Sequence, residues 1–332
     1  MTEMTDALSQ LTFLDQQTES VDWAPGPFVQ DQSLTFAPTS SWPDPSETGW
    51  TARSIFNPSV IAVNDELHVF YRAAPRKESL HSRIGHASYQ PNNGWADDPA
   101  NPVVWPTLPN EQLGVEDPKI YRGDDGFVLF YNAIFEPTVA DRTVHAHDGV
   151  LFEGVGCDIN VATSPDLQTW TKLGPVTDRS YTRLWAKGAV IPRAADGAAV
   201  RIGGEYLMYV SEGCGGRLTV GRSDDLLHWR FEPQNYLDMS PFGGQLHEVA
   251  TATVVEDRIV LDFFYSKDGI PSAARAEYAI EAPFTQRRMA LGGTLAWGGL
   301  SQWDGRWIFA QGWDAPPDKP ELQFYTANSH NQ

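Results

Sequence analysis

Two adjacent carboxylates, Glu116 and Asp117, stand against a proline in the stretch GVEDPKI. A carboxylic acid buried near apolar groups or another carboxylate has a raised pKa and can carry a proton for delivery at neutral pH. Pro118 fixes its own φ and biases Asp117 toward extended geometry, so strand alternation sends the two acids to opposite sides. One acid then faces a site while the other braces the strand, and the pleat leaves open which does which. Two further acids, Glu212 in YLMYVSEGCGG and Glu248 in QLHEVATATVV, end or open strand-like apolar runs. Glycoside cleavage needs such a set: one acid protonates the leaving oxygen, and one carboxylate acts through water or on the anomeric carbon.

The elements that must position these acids come from a repeat. SPDLQTW (Ser164 to Trp170) recurs as SDDLLHW (Ser223 to Trp229), each after an apolar strand-like run. The Ser and Asp are expected to bond the turn backbone, with Leu and Trp plugging the sheet. Extended outward, each unit has an inner strand, a turn with Asp, Asn or Gly, an aromatic second strand and a third strand. FNPSVIAV–ELHVFYRAA–SRIGHASY, VEDPKIYR–FVLFYNA–CDINVAT, AKGAVIPR–EYLMYVSE–RLTVGR and HEVATATVV–RIVLDFFYS–SAARAEYAI are four copies. WGGLSQWDGRWIFAQGW with ELQFYTA is the fifth. Unit starts fall near Asn57, Asp117, Lys187, Glu248 and Gly298. No long segment repeats apolar residues at helical spacing, so the prediction is all-β, a five-bladed β-propeller closed without exposed sheet edges.

Residues 51–332 are expected to form this single catalytic propeller. Residues 1–50, rich in Pro, Ser and Thr, lack the pattern and are expected to form an extended arm that packs on it or supplies a strand closing the last blade. Inner strands of a propeller line its central channel, so Asn57, Asp117, Lys187 and Glu248 should converge there. Arg72 and Glu212, ending second strands, join them, as does His247. Charged bidentate groups for hydroxyls and aromatic faces for C–H surfaces suit a sugar.

The chain of 332 residues carries a formal charge of −19, with 41% hydrophobic and 12% aromatic residues. Such a charge disfavours nucleic acid and anionic membranes as partners. No apolar run is long enough to span a bilayer, and the N-terminal stretch MTEMTDALSQLTFL has no secretory pattern, which points to the cytoplasm. Cys157 and Cys214 are expected as reduced, buried thiols. The segment DRTVHAHDG holds His145, His147 and Asp148; without a distant further ligand it is read as a loop capping a sugar site, with no metal and no cofactor. Homo-oligomerisation is left open.

The set NPSV, FYRA, SRIGHAS, GVEDPKI, ATSPDLQTW and AKGAVIP resembles glycoside hydrolase family 130, the β-mannoside phosphorylases and β-mannosidases, over roughly residues 55 to 315. That family's most specific motif has Arg where this chain has Lys119. The resemblance implies that Asp117 is the proton donor of an inverting mechanism, relayed through a hydroxyl of the bound mannose, and that Glu116 is a sugar-binding or structural neighbour. Glu212 and Glu248 resemble glutamates of the hydrolytic branch, which use a carboxylate to activate water. Hydrolysis of a β-mannoside-like linkage in a small oligosaccharide is therefore the expectation. The alternatives are a phosphorylase with Arg183 and Lys187 holding phosphate, or a non-catalytic sugar-binding propeller. VATATVV replaces a Gly-Pro-Pro run and FFYSKDG a Tyr-His-Gly or Tyr-Asn-Gly ending, which widens the expectation to a related pyranoside or furanoside.

Overall fold

The computed structural model describes residues 18–77, 79–145, 154–294, 296–315 and 319–329. Strand β1 (Val29–Gln30) precedes five antiparallel sheets arranged as the blades of a propeller. Blade I holds β2 (Ser54–Val63), β3 (Glu66–Ala74), β4 (Arg83–Gln90) and β5 (Gly94–Asp97). Blade II holds β6 (Gly114–Gly123), β7 (Gly126–Phe135), β8 (Gly156–Ser164) and β9 (Thr171–Pro175). Blade III holds β10 (Ala186–Val190), β11 (Arg201–Ile202), β12 (Glu205–Gly213), β13 (Thr219–Ser223) and β14 (Arg230–Pro233). Blade IV holds β15 (Gln245–Val255), β16 (Arg258–Lys267), β17 (Ile270–Ala279) and β18 (Ala282–Leu291). Blade V holds β19 (Ser301–Trp303), β20 (Arg306–Gln311) and β21 (Gln323–Asn328), and β1 pairs with β21 as its outermost strand. Only two short α-helices occur among the described residues, α1 (Val139–His145) and α2 (Arg179–Thr182).

Inner strands read as nearly continuous apolar runs because both faces of each blade are covered by its neighbours. Ile61, Phe70, Ile120 and Leu129 fill the gap between blades I and II. Tyr121, Phe130, Tyr206 and Met208 fill the next, and Tyr209, Val220, Phe263 and Tyr278 fill the gap between blades III and IV. Val60, Tyr71, Ile308 and Phe324 close the ring between blades V and I.

The repeated S-x-D-L-x-x-W turn is a wedge at these gaps. Asp166 Oδ1 accepts from the backbone of Gln168 and Thr169, and Asp225 Oδ1 accepts from Leu227 and His228 in the same way. Leu167 and Leu226 take left-handed φ values of 66° and 68° and are buried in the clusters of the preceding gap. Each Trp donates its indole N–H to that leucine's carbonyl, at 3.2 Å for Trp170 and 2.8 Å for Trp229. A buried guanidinium sits nearer the axis: Arg193, 1% exposed, donates to the carbonyls of Gly298 and Val60 and so ties the chain after β10 to blades V and I.

Both cysteines are free and buried. His145 ends helix α1, whereas His147 and Asp148 lie outside the described residues. Asp158 and Asn160 serve blade II: Asn110 donates to both, and Arg179 to Asp158. No described helix is long and apolar enough to cross a membrane.

Candidate active site

The starts of the inner strands surround a cavity of about 500 Å³. Asn57, Arg72, Glu116, Lys187, Glu212, His247 and Glu248 line it, together with Trp185, Trp297 and Trp313. Asp117, 1% exposed, contacts three of these lining residues directly. Arg183 is not among the described lining residues; it takes φ 56° at the C-cap of α2 and packs along Gly215.

The extended geometry expected for Asp117 is overturned, and with it the separation of the two acids. Asp117 has φ 52°, and the ladder between β6 and β7 slips between Glu116 and Lys119. This bulge interrupts the alternation of side chains, so both acids meet the same two cations. Arg72 pairs with Glu116 and lies 3.1 Å from Asp117 Oδ1. Lys187 Nζ is 2.9 Å from Asp117 Oδ2 and 3.4 Å from Glu116 Oε2. Blade I repeats the device: Asn57 precedes Pro58 with φ 46°, and β2 slips against β3 between Phe56 and Ser59. Asn and Asp tolerate left-handed backbone better than other side-chain-bearing residues, and the buried polar contacts hold them there against the preference of a pre-proline residue.

The carboxylates differ in charge state because their neighbours differ. Burial pushes Asp117 up, but Lys187 and Arg72, with hydrogen bonds from Lys187 and Asn57, more than offset it and hold its carboxyl below the usual range. Burial keeps Glu116 above the usual range despite the same cations. Glu248 is pushed up to about 7, first by burial and further by Glu212 and Asp117, with Lys119 and Lys187 opposing. Burial likewise raises Glu212. The two cations stay charged: burial disfavours the ammonium of Lys187, yet Asp117 and Glu116 raise it well above its ordinary value. Arg72 is further anchored by Nε to Ser82 Oγ at 2.8 Å and by Nη2 to the Ser79 carbonyl at 2.9 Å.

Tryptophans set the acids in place, a role that the sequence reading assigned to no particular residue. Trp185 donates to Glu212 Oε1 at 3.1 Å, and Trp297 to Glu248 Oε2 at 3.3 Å. Trp313 Nε1 donates to Asn57 Oδ1 at 2.7 Å, and Asn57 passes the bond to Asp117 Oδ1 at 2.7 Å. Lys119, buried and with a lowered pKa, donates to the Trp297 carbonyl. In RLWAKG and AQGW, Trp185 and Trp313 stand beside strand ends, but indole direction cannot be read from spacing. Glu248 Oε1 is buried without a hydrogen-bond partner among the described residues, so one acceptor is left for a ligand. Gly188, φ 63°, lets the stem of Glu248 cross: a Cβ there would meet Glu248 Cγ at 2.7 Å.

A five-bladed propeller with buried carboxylates, clamped cations and indoles around one axial cavity is the frame of a sugar-processing protein. The family model of glycoside hydrolase family 130, described as β-1,4-mannooligosaccharide phosphorylase, matches residues 35–242. The chain belongs to that family of glycoside-active enzymes. A β-1,2-mannobiose phosphorylase of Thermoanaerobacter sp. (strain X514) is 32% identical over 95 residues, 26% of this chain, and the match spans 32% of that relative's length.

Solved structures share the fold. One, from work reporting that the family of mannoside phosphorylases contains glycoside hydrolases targeting β-1,2 mannosidic linkages in Candida mannan, superposes with TM-score 0.71 and 19% identity, covering 95% of this chain and 98% of that one. The β-1,2-mannobiose phosphorylase of Listeria innocua gives TM-score 0.60 and 13% identity over 91% of this chain and 97% of its own.

Proposed function

We propose that this chain hydrolyses a β-mannoside-like linkage with inversion, Asp117 supplying the proton and a carboxylate of the Glu212–Glu248 pair activating water. The observation that carries this reading is the charge of the cavity. Glu116, Glu212 and Glu248 line it, while its cations, Arg72 and Lys187, already pair with Glu116 and Asp117. An inorganic phosphate dianion entering here meets carboxylates without an uncommitted cation among the described lining residues, and repulsion in a dry site is strong. Water carries no such penalty, and a glutamate titrating near neutral pH is suited to act as its base.

Ionised by Lys187 and Arg72, Asp117 holds no proton in the unliganded site. Donation therefore requires the bound sugar to draw a cation off it, so that its pKa rises and it takes up a proton from solvent before giving it to the leaving oxygen. Arg72 is fixed by Ser79 and Ser82, so Lys187 is the cation to move. In the inverting step water adds to the anomeric carbon, the glycosidic bond breaks, the leaving oxygen takes a proton, and the base carboxylate takes one from water.

The second reading, phosphorolysis, is favoured by names: the family model and the Thermoanaerobacter relative are both described as phosphorylases. Incubation of purified protein with β-mannosides, with and without inorganic phosphate, separates the two. Free mannose formed at equal rates in both conditions is the expected result. Mannose 1-phosphate formed only with phosphate would replace this reading with the second.

A further inference from the structure

The cavity is chemically two-sided. Its charged groups Arg72, Glu116, Lys187, Glu212 and Glu248 come from strands of blades I to IV, with Asn57 beside them. Its other wall is aliphatic: Leu218, Leu237, Met239 and Leu246, all from the chain of blades III and IV. These four are the cavity-facing margin of the apolar cluster between those blades, where Leu237 is buried and the other three pack against it half-buried. Gln245 and His247 line the cavity on either side of Leu246, but a sugar ring laid on the four aliphatic side chains would lose water from its hydroxyls and gain no partner from them. An alkyl chain or aryl ring would bury apolar surface against a side of the cavity that is already part of the core.

We propose that the leaving group of the substrate is apolar: the site takes the β-mannoside of an alkyl or aryl alcohol, its sugar at the charged side and its aglycone on the Leu218–Met239–Leu246 wall. This rests on the glycosidase reading above and narrows its substrate class. Water adds to the anomeric carbon, the bond from that carbon to the aglycone oxygen breaks, and that oxygen leaves protonated as the free alcohol or phenol.

The test compares kcat/KM for n-hexyl β-mannoside, methyl β-mannoside and β-linked mannobiose, with and without phosphate. Hexyl and methyl leaving groups have nearly equal intrinsic reactivity, so their ratio reports contact with the chain. The wild-type protein is expected to favour the hexyl glycoside over the methyl by at least about tenfold, as burial of added methylenes requires. Met239→Gln and Leu218→Asn should each lower that ratio severalfold. Equal hexyl and methyl values, with mannobiose cleaved best, would overturn the apolar leaving group and leave the glycosidase reading standing. If no β-mannoside is cleaved, the glycosidase reading fails, and calorimetric affinities decide the wall. Hexyl mannoside bound about tenfold tighter than methyl mannoside would keep the apolar wall as a recognition surface, and equal affinities would remove it.

Discussion

Asn57 donates to Oδ1 of Asp117 at 2.7 Å across 60 positions of sequence, and both residues adopt left-handed φ directly before a proline, 46° and 52°. Blades I and II thus present the same bulge to the channel, one ending in an amide and the other in a carboxylate. The amide, oriented by Trp313, stabilises the charged form of the acid. Asn57→Ala is expected to remove that bond, leave part of the buried carboxylate unsatisfied and cost about 1–3 kcal/mol, measured by denaturant unfolding. An unchanged midpoint and slope would show that the contact contributes nothing.

Asp117→Asn keeps the shape of the side chain and removes its charge and its capacity to take up and donate a proton. Glu116 remains as a partner for Arg72 and Lys187, so the circular dichroism of the native protein should persist. Turnover of a β-mannoside should fall by at least about 10²-fold, the low end for loss of general acid catalysis. Near-normal turnover would take Asp117 out of the mechanism.

The pH profile separates the acids. With Glu248 raised to about 7 by burial, a base role means that activity is lost as pH falls through that value and the carboxylate takes up a proton. The acidic limb of kcat/KM in the wild-type protein should lie near 7, and Glu248→Gln should abolish both the limb and most of the rate. If Glu212→Gln does so instead, Glu212 is the base. Activity lost only as pH rises through 7 would make Glu248 the acid.

Arg193 has no carboxylate partner among its hydrogen bonds; it is held by carbonyls of Gly298 and Val60 from two blades. Because hydrogen bonds to a charged group contribute about 1.5–3 kcal/mol each, Arg193→Ala should destabilise the fold by about 3 kcal/mol or more. Urea unfolding checks this, and a loss below about 1 kcal/mol would refute the ring-closing role.

In blade I, His68 Nδ1 lies 3.0 Å from His86 Nε2, and His86 Nδ1 lies 2.8 Å from Asp98. Burial, then His86, pushes His68 down to about 4. The unfolded chain binds a proton at His68 that the folded chain refuses between pH 6.5 and about 4. Stability from this residue is therefore present above pH 6.5 and lost as pH falls through that window. His68→Gln should flatten the fall, as read from unfolding free energies at pH 4.5 and 7.

Much of the architecture was legible because a blade has local requirements. Each needs apolar faces on both sides, a turn after its inner strand and an aromatic second strand, and those demands repeat along the chain. S-x-D-L-x-x-W was readable because its hydrogen bonds join residues two or three positions apart. The convergence of Asn57, Lys187 and Glu248 followed from strand starts alone. The direction of Asp117 did not: a regular strand would send it away from Glu116, and the bulge that overrides this alternation is held by Asn57, Arg72 and Lys187 from other blades.

By itself, then, the sequence determined the five units, their all-β character and which residues open each inner strand, since periodicity and turn chemistry act over a few neighbouring positions. The tertiary structure alone decided that Glu116 and Asp117 share two cations, that Asp117 is charged while Glu248 is raised to about 7, and that an aliphatic wall faces them. Charge state and pocket lining depend on burial and on groups brought within a few ångströms by closure of the ring, and sequence distance carries no record of either.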